Sequence, residues 1–244
     1  MTKLLRFFAL ASLMILFLVS TSGWHIPSPS NIRIVSAHLK VRKLSHGKKL
    51  EYDADMCYSA NGDMVAHYHA PLDYYILNNK KGQIRIYQPK DNTLRTVTDA
   101  FMGSSSSYFY AFVNFRSSDL NLRDMGFILR NTKYEEGLQI SDWLPPAAAA
   151  ARLSKVELVH RNGKIIYAGY FDGKEQLFKK VYYGKSENIK GVEFPTTLTE
   201  ITYMNPSRTD STIEKSNYSA FKVNEQVNDP VCSFQIPPQA KTAD

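Results

Sequence analysis

The chain has 244 residues, 43% hydrophobic and 12% aromatic, enough for a sizeable single core and too apolar for a disordered polypeptide. Basic residues number 30 against 23 acidic, a net charge of +7. The excess is scattered in short clusters such as Lys48 with Lys49, Lys80 with Lys81 and Lys179 with Lys180, and no basic helix or aromatic-interleaved basic stripe argues for nucleic acid as a partner.

The first element is a targeting segment. Lys3 and Arg6 precede an apolar run over 7–19, and Ser20, Thr21, Ser22 and Gly23 supply small residues for cleavage, the three parts of a secretory signal. The apolar run is short against the roughly twenty residues of a membrane-spanning helix, and no Cys near the cleavage zone marks a bacterial lipoprotein signal. Residues 1–23 are expected to be removed on export, leaving 24–244 as a single domain. Its 28 basic and 23 acidic residues leave +5, a mild attraction to anionic membrane surfaces.

From residue 32 the sequence alternates apolar and polar residues in short runs split by turn signals, the pattern of antiparallel sheet. Strands are expected at 32–44, 50–59, 64–68, 73–77, 83–88 and 93–98. Gly103 and four serines then lead into 108–115, where Tyr108, Phe109, Phe112 and Phe115 share one helical face behind a Ser N-cap. Ser118 and Asp119 are expected to cap a second short helix to Met125. Strands resume at 127–134, 138–143, 155–160, 164–171, 176–183, 192–203 and 211–221. Arg161, Asn162 and Gly163, and likewise Phe171, Asp172, Gly173 and Lys174, provide hairpin turns. Pro145 and Pro146 open a loop with one helical turn over 147–151, residues 223–227 form a short turn, and a last strand is expected at 232–236. This is a mainly β fold: about a dozen antiparallel strands in a meander that curls into an open half-barrel, capped by short helices.

Cys57, His67 and His69 draw attention first, in DADMCYSANGDMVAHYH at 53–69. A three-residue loop, Ala60, Asn61 and Gly62, pairs Ser59 with Asp63. It sets Tyr58 opposite Met64, Met56 opposite Ala66 and Ala54 opposite Tyr68 on one face. On the other, Cys57 meets Val65, Asp55 meets His67 and Asp53 meets His69. One-sided burial selects this register over a two-residue Asn-Gly loop that mixes both faces, and it sends the Cys, Asp and His side chains to solvent as cross-strand pairs. Two His at i and i+2 need further converging ligands to hold a metal, so no metal site is expected. Cys57 and Cys232 are the only cysteines. An oxidising compartment makes them a candidate disulfide, the alternative being two thiols on strands whose Cα atoms lie more than about 7 Å apart. No nucleophile elbow and no phosphate-binding glycine loop occurs, so neither an enzyme nor a cofactor is expected.

The surplus is apolar. Tyr52, Met56, Tyr58, Met64 and Tyr68 share one face of the first hairpin, and Tyr74 and Ile76, then Ile84 and Ile86, continue it. Later strands show Tyr167 and Phe171, then Val181 and Tyr183. Many must simply pack the interior, but a sheet of this size encloses more volume than its side chains fill, and Met and aromatic residues repack around acyl chains. With Phe109 and Phe112 of the aromatic helix as lid, these residues are the candidate lipid-binding cavity.

The segment YYILNNKKGQIRIYQPKDNTL at 74–94 resembles the LolA-like outer-membrane lipoprotein-sorting family, in which an aromatic strand, a Gly turn and an Ile-Tyr-x-Pro strand end recur. KKVYYGKSENIKGVEFPTTLTEITY at 179–203 resembles the family's later hairpin with its Phe-Pro, and FQIPPQAK at 234–241 its Pro-containing last strand. The resemblance covers about residues 32–240. It implies an unclosed barrel in the periplasm, a monomer that shields lipoprotein acyl chains or another lipid in transit. It further implies an inner-membrane ABC transporter as donor and an outer-membrane acceptor. Related half-barrels act as sensors, so a lipid-binding module without transport is the second reading.

Overall fold

Alternating residues become strands almost throughout the computed structural model, which describes residues 32–98, 108–114, 117–205 and 207–243. Among them are β1 (Ile34–Ser45), β2 (Lys48–Ser59), β3 (Met64–Ala70), β4 (Tyr74–Asn78), β5 (Gln83–Gln88) and β6 (Thr93–Thr98). A helix α1 (Tyr108–Val113) follows, then β7 (Ile128–Glu135), β8 (Leu138–Leu144), β9 (Lys155–Arg161), β10 (Lys164–Phe171) and β11 (Leu177–Tyr183). The remaining strands are β12 (Ser186–Ile189), β13 (Val192–Pro195), β14 (Thr197–Tyr203), β15 (Ser211–Val223) and β16 (Lys241–Thr242). Fourteen strands form one open curved sheet in the order β16-β6-β5-β4-β3-β2-β1-β15-β14-β11-β10-β9-β8-β7, and β12 pairs only with β13. The chain thus runs outward from β1 to β6, then returns from the far edge at β7 to close against β1 through β15.

The turns explain why neighbours in sequence pair. His46 with Gly47, Glu136 with Gly137, Asn162 with Gly163 and Lys190 with Gly191 each have two consecutive positive φ angles, the two-residue turn whose twist matches flanking strands. At the first hairpin Ser59 N donates to Asp63 O at 2.9 Å and Gly62 sits at φ +96°. Tyr58 lies opposite Met64, Met56 opposite Ala66, Cys57 opposite Val65 and Asp55 opposite His67, which is the register that the loop and one-sided burial select. It slips one step further along, where a bulge sets Asp53 against Ala70 rather than His69.

Three other expectations need correction. The run 192–203 is two strands: Pro195 cannot donate to a ladder, and β13 turns off the main sheet to pair with β12. The helix after Ser118 is a series of turns, because Leu120 and Asn121 take left-handed φ angles of 49° and 64°, with the Asp119 carboxylate accepting from Asn121 N at 3.0 Å. The last strand is absent from 232–236. Pro230–Ser233 is a 3-10 turn and only Lys241–Thr242 pairs, in parallel with β6. The helix at 108–115 is seen over Tyr108–Val113; Phe115 lies outside the described residues.

The core lies on the inner face of the sheet. Val35, Ala37, Leu39 and Val41 of β1 face the same way as Ala54, Met56 and Tyr58, and Val156, Leu158, Ala168 and Val181 line the far wing, all 7% exposed or less. The six residues of α1 are too few to stand alone as a helix in water. They are apolar on every side because α1 lies inside the curve, with Phe109, Ala111, Phe112 and Val113 buried. Phe194 of β13, wholly buried, closes the packing against Phe109, Phe112 and Phe221 at ring distances of 5.5, 5.7 and 5.5 Å.

Candidate functional site, the inner face of the half-barrel

Strand pairing puts the predicted wall residues on one face. Tyr58 with Met64, Met56 with Ala66, Ala66 with Ile76, and Ile76 with Ile86 form continuous rows. Tyr52, Met64, Tyr68, Tyr74, Ile76, Ile84 and Ile86 are half-buried there, whereas Met56, Tyr58, Phe109 and Phe112 are buried in the core. Tyr68 meets Tyr52 edge-on at 6.2 Å and stacks on Tyr74 at 4.6 Å. Burial raises the hydroxyls of Tyr68 and Tyr74 to about 12, so this wall stays neutral across the physiological range. Tyr58 is raised further, by burial against a hydrogen bond from Asn114 Nδ2 at 3.1 Å.

An apolar cavity lies on the other wing. It has a volume of about 350 Å³, the size at which ligand pockets begin. Leu120, Leu122, Met125 and Phe127 from the turns after α1 form one wall, and Ala149 and Leu153 from the loop before β9 form another. Tyr170, Phe178 and Tyr183 of β10 and β11 are the floor, with Tyr108 of α1 at the inner end. Burial holds Tyr108 and Tyr183 far above the usual tyrosine range and Tyr170 at about 12. The charged residues lining the cavity are therefore Arg152 and Lys179. The sequence marked Tyr183 for this face but took Tyr167 with it. The register pairs Tyr167 with Tyr182 on the opposite face, and Tyr170 faces inward instead. Tyr183 also borders a cavity of about 320 Å³ beneath β12 and β13, which Phe112 lines.

Between the two wings the inner face carries charge. Glu200 and Glu214 are cross-strand partners on β14 and β15. Lys179 Nζ lies 2.7 Å from Glu200, and Lys43 Nζ 4.0 Å from Glu214. Burial first, and then the Glu200 charge, raise the Glu214 carboxyl, against the lowering influence of Lys43 and Lys179. A carboxyl raised on folding binds its proton more tightly in the folded state, so stability is lost as pH rises above the ordinary carboxyl range. Glu214→Gln is expected to stabilise the protein at pH 7 by about 0.5 kcal/mol, small because the side chain is 38% exposed. No gain should remain at pH 3. Denaturant unfolding at both pH values checks this, and an equal gain at each would contradict it.

The outer face of β2–β5 is not the solvent face that the hairpin pattern suggested. Cys57 is 5% exposed and bonded to Cys232 across a separation of 175 residues. Phe234 stacks on Tyr75 at 3.6 Å, and Tyr75 on His67 at 3.9 Å. The segment leading there is held by Asp229, which accepts from Ser36 Oγ and, at 2.9 Å, from Lys222 Nζ; these hydrogen bonds pull its carboxyl below the usual range. Beyond this cover the His residues pair with carboxylates. Asp55 takes His38 Nδ1 at 2.9 Å and His69 Nε2 at 2.8 Å, and His67 Nε2 lies 2.8 Å from Asp73. Burial works upward on Asp55, but the bonds from His38 and His69 bring its pKa below the ordinary value. Cys57 shares this face but is spent in the disulfide, and among the described residues no His, Cys, Asp and Glu group has the arrangement of a metal site.

No protein-family model matches the sequence, and no curated protein is similar to it in sequence. Solved structures are similar in fold. A LolA superfamily protein from Nitrosomonas europaea superposes with a TM-score of 0.58 at 12% identity, over 80% of this chain and 88% of that one. A protein domain from Vibrio parahaemolyticus assigned to outer membrane lipoprotein sorting gives 0.56 at 10%, over 80% and 87%. This chain has the LolA-like fold. A DUF1329 family protein from Desulfovibrio piger is similar too, at 0.57 and 16% identity over 83% and 90%. In this LolA-like half-barrel, the segment 74–94 that first suggested the resemblance is the β4, β5 and β6 meander. Residues 179–203 span β11 to β14, and 234–241 is the tail across the outer face.

Proposed function

We propose that the protein is an exported carrier that shields acyl chains on the inner face of its half-barrel. The observation that carries this is the apolar cavity of about 350 Å³ floored by Tyr170, Phe178 and Tyr183. One chain fills the cavity. The half-buried wall of Tyr52, Met64, Tyr68, Tyr74, Ile76, Ile84 and Ile86 supplies apolar surface for further chains, with Met56, Tyr58, Phe109 and Phe112 as its packed base. Each methylene moved out of water contributes about 0.8 kcal/mol, so reversible transfer needs no chemistry and no cofactor, and we assign no catalytic role. Under this reading residues 1–23 direct export to the periplasm and are removed, leaving 24–244 as a monomeric single-domain carrier. It collects lipoprotein from an inner-membrane ABC transporter and yields it to an outer-membrane acceptor. A lipid-responsive binding module on the same scaffold is the second reading, favoured by the packing of α1, Phe109 and Phe194 into the centre of the curve.

Mass spectrometry of ligands extracted from protein secreted into the periplasm of a Gram-negative host separates the two. Lipoproteins in the extract support the carrier, free lipids alone support the binding module, and no lipid at all contradicts both. Ala149→Phe places a ring into the cavity from a loop and leaves the strands untouched. Overpacking of this kind costs about 1–3 kcal/mol, so the variant should fold, and its bound lipid should fall more than tenfold.

A further inference from the structure

The geometry points to a ligand with one anionic head, a carboxylate or phosphate, held at the rim of the apolar cavity by Arg152 and Lys179. The inference rests on the acyl-binding reading and adds the head group to it.

Both cations sit at the same end of the sheet. Lys179 is opposite Tyr170 on β10, and Lys155 at the start of β9 is opposite Phe171 at the end of β10. Ser154 N donates to Phe171 O at 2.8 Å, which fixes the chain just before β9 at this end. Arg152, two residues earlier, is exposed there. Tyr183 lies at the far end of β11, and burial keeps both it and Tyr108 of α1 uncharged. The cavity therefore has a cationic rim and an apolar, neutral depth, with no Asp or Glu among the described lining residues. A long chain with a terminal anion matches both ends, and a neutral chain of the same length matches only one.

Arg152 already has a partner of its own in this structure, and Lys179 is not idle either. Its ammonium lies 2.7 Å from the Glu200 carboxylate and 5.6 Å above the Tyr170 ring. An incoming anion must share or displace Glu200, so Glu200 acts as a built-in competitor for the head-group cation. Neutralising it should strengthen anion binding, an effect that general loss of structure would not produce.

The test is titration calorimetry on the delipidated mature protein with decanoate, decyl phosphate, decanol and inorganic phosphate as probes. Decanoate and decyl phosphate should bind at least tenfold more tightly than decanol, and inorganic phosphate alone should show no heat. Arg152→Gln and Lys179→Gln should each erase several-fold of that preference and leave decanol unchanged, while Glu200→Gln should tighten decanoate several-fold. Equal binding of decanoate and decanol would overturn the head-group site and leave the acyl cavity standing. Inorganic phosphate binding as tightly as decyl phosphate would mean a free-anion site unconnected to the cavity, which also overturns it. Failure of all three chain-bearing probes would overturn the acyl-binding reading itself.

Discussion

Replacing Cys57 and Cys232 together by Ala is expected to lower the unfolding free energy by about 3–5 kcal/mol. The bridge joins residues 175 apart, and chain-entropy reasoning gives about 5 kcal/mol for a loop of that length, less whatever structure the unfolded chain retains. In a domain whose total stability is of order 5–15 kcal/mol, the loss should appear as a fall in Tm of roughly 10 °C. It should also be localised. The bridge fixes the segment that carries Phe234 onto Tyr75 and Tyr87, and from there the chain reaches the edge of the sheet. At that edge Asn92 Nδ2 donates to Gln239 O at 3.1 Å and Lys241 N donates to Asn92 O at 2.8 Å. Denaturant unfolding of the double variant, with hydrogen exchange, checks both parts. Protection should drop first over the 230–243 tail and β6, where the ladder gains an open edge. A change below about 1 kcal/mol would show that Asp229, Phe234 and β16 hold the tail without the bridge.

Phe194→Ala should cost a similar amount, about 3–5 kcal/mol, for a different reason. Phe194 is wholly buried, and removing a buried aromatic loses its transfer energy and leaves a cavity that rigid neighbours do not fill. Its neighbours are three rings from two separate elements: Phe109 and Phe112 on α1, and Phe221 on β15. Because β12 and β13 pair only with each other, that ring, together with the buried Ile189 and Val192, is what holds the small hairpin on the core. The variant should therefore unfold more easily and also lose protection in β12, β13 and α1 before the main sheet. Phe194→Leu, which keeps most of the volume, should recover more than half of the loss in the same denaturant titration. Equal losses for both variants would show that packing volume is not what Phe194 supplies.

How much of this was legible in the sequence depended on whether a signal was local. The turn at Asn61 and Gly62, with apolar residues alternating on each side, was enough to set the register of β2 on β3 to within one bulge. Lys190 with Gly191 was an equally local signal, lying between Ile189 and Val192, and its hairpin was missed because the apolar run into β14 looked continuous. The outer face was misread for a longer-range reason. Tyr75, Leu77 and Tyr87 are apolar residues on the side opposite Tyr74 and Ile76, a sign of burial on both faces. What buries them comes from a segment about 150 residues later. The cavity over β10 and β11 had the weakest signal of all. Its walls are turns over 117–127 and 146–153, which have no period to detect, and Leu120 and Asn121 adopt left-handed angles that propensity would not choose. The charged rim needed the strand register as well, since only pairing places Lys179 and the approach to β9 at one end.

The most direct test of the account is photo-crosslinking of a diazirine-bearing palmitate analogue to the protein, followed by peptide mapping, in wild type and in Ala149→Phe. Adducts are expected on the inner face, concentrated over 120–127, 149–153 and 170–183, extending to the wall at 52–86, and sharply reduced over the cavity segments in the variant. Adducts confined to outer-face segments such as 230–243, or cavity adducts undiminished by Ala149→Phe, would contradict it.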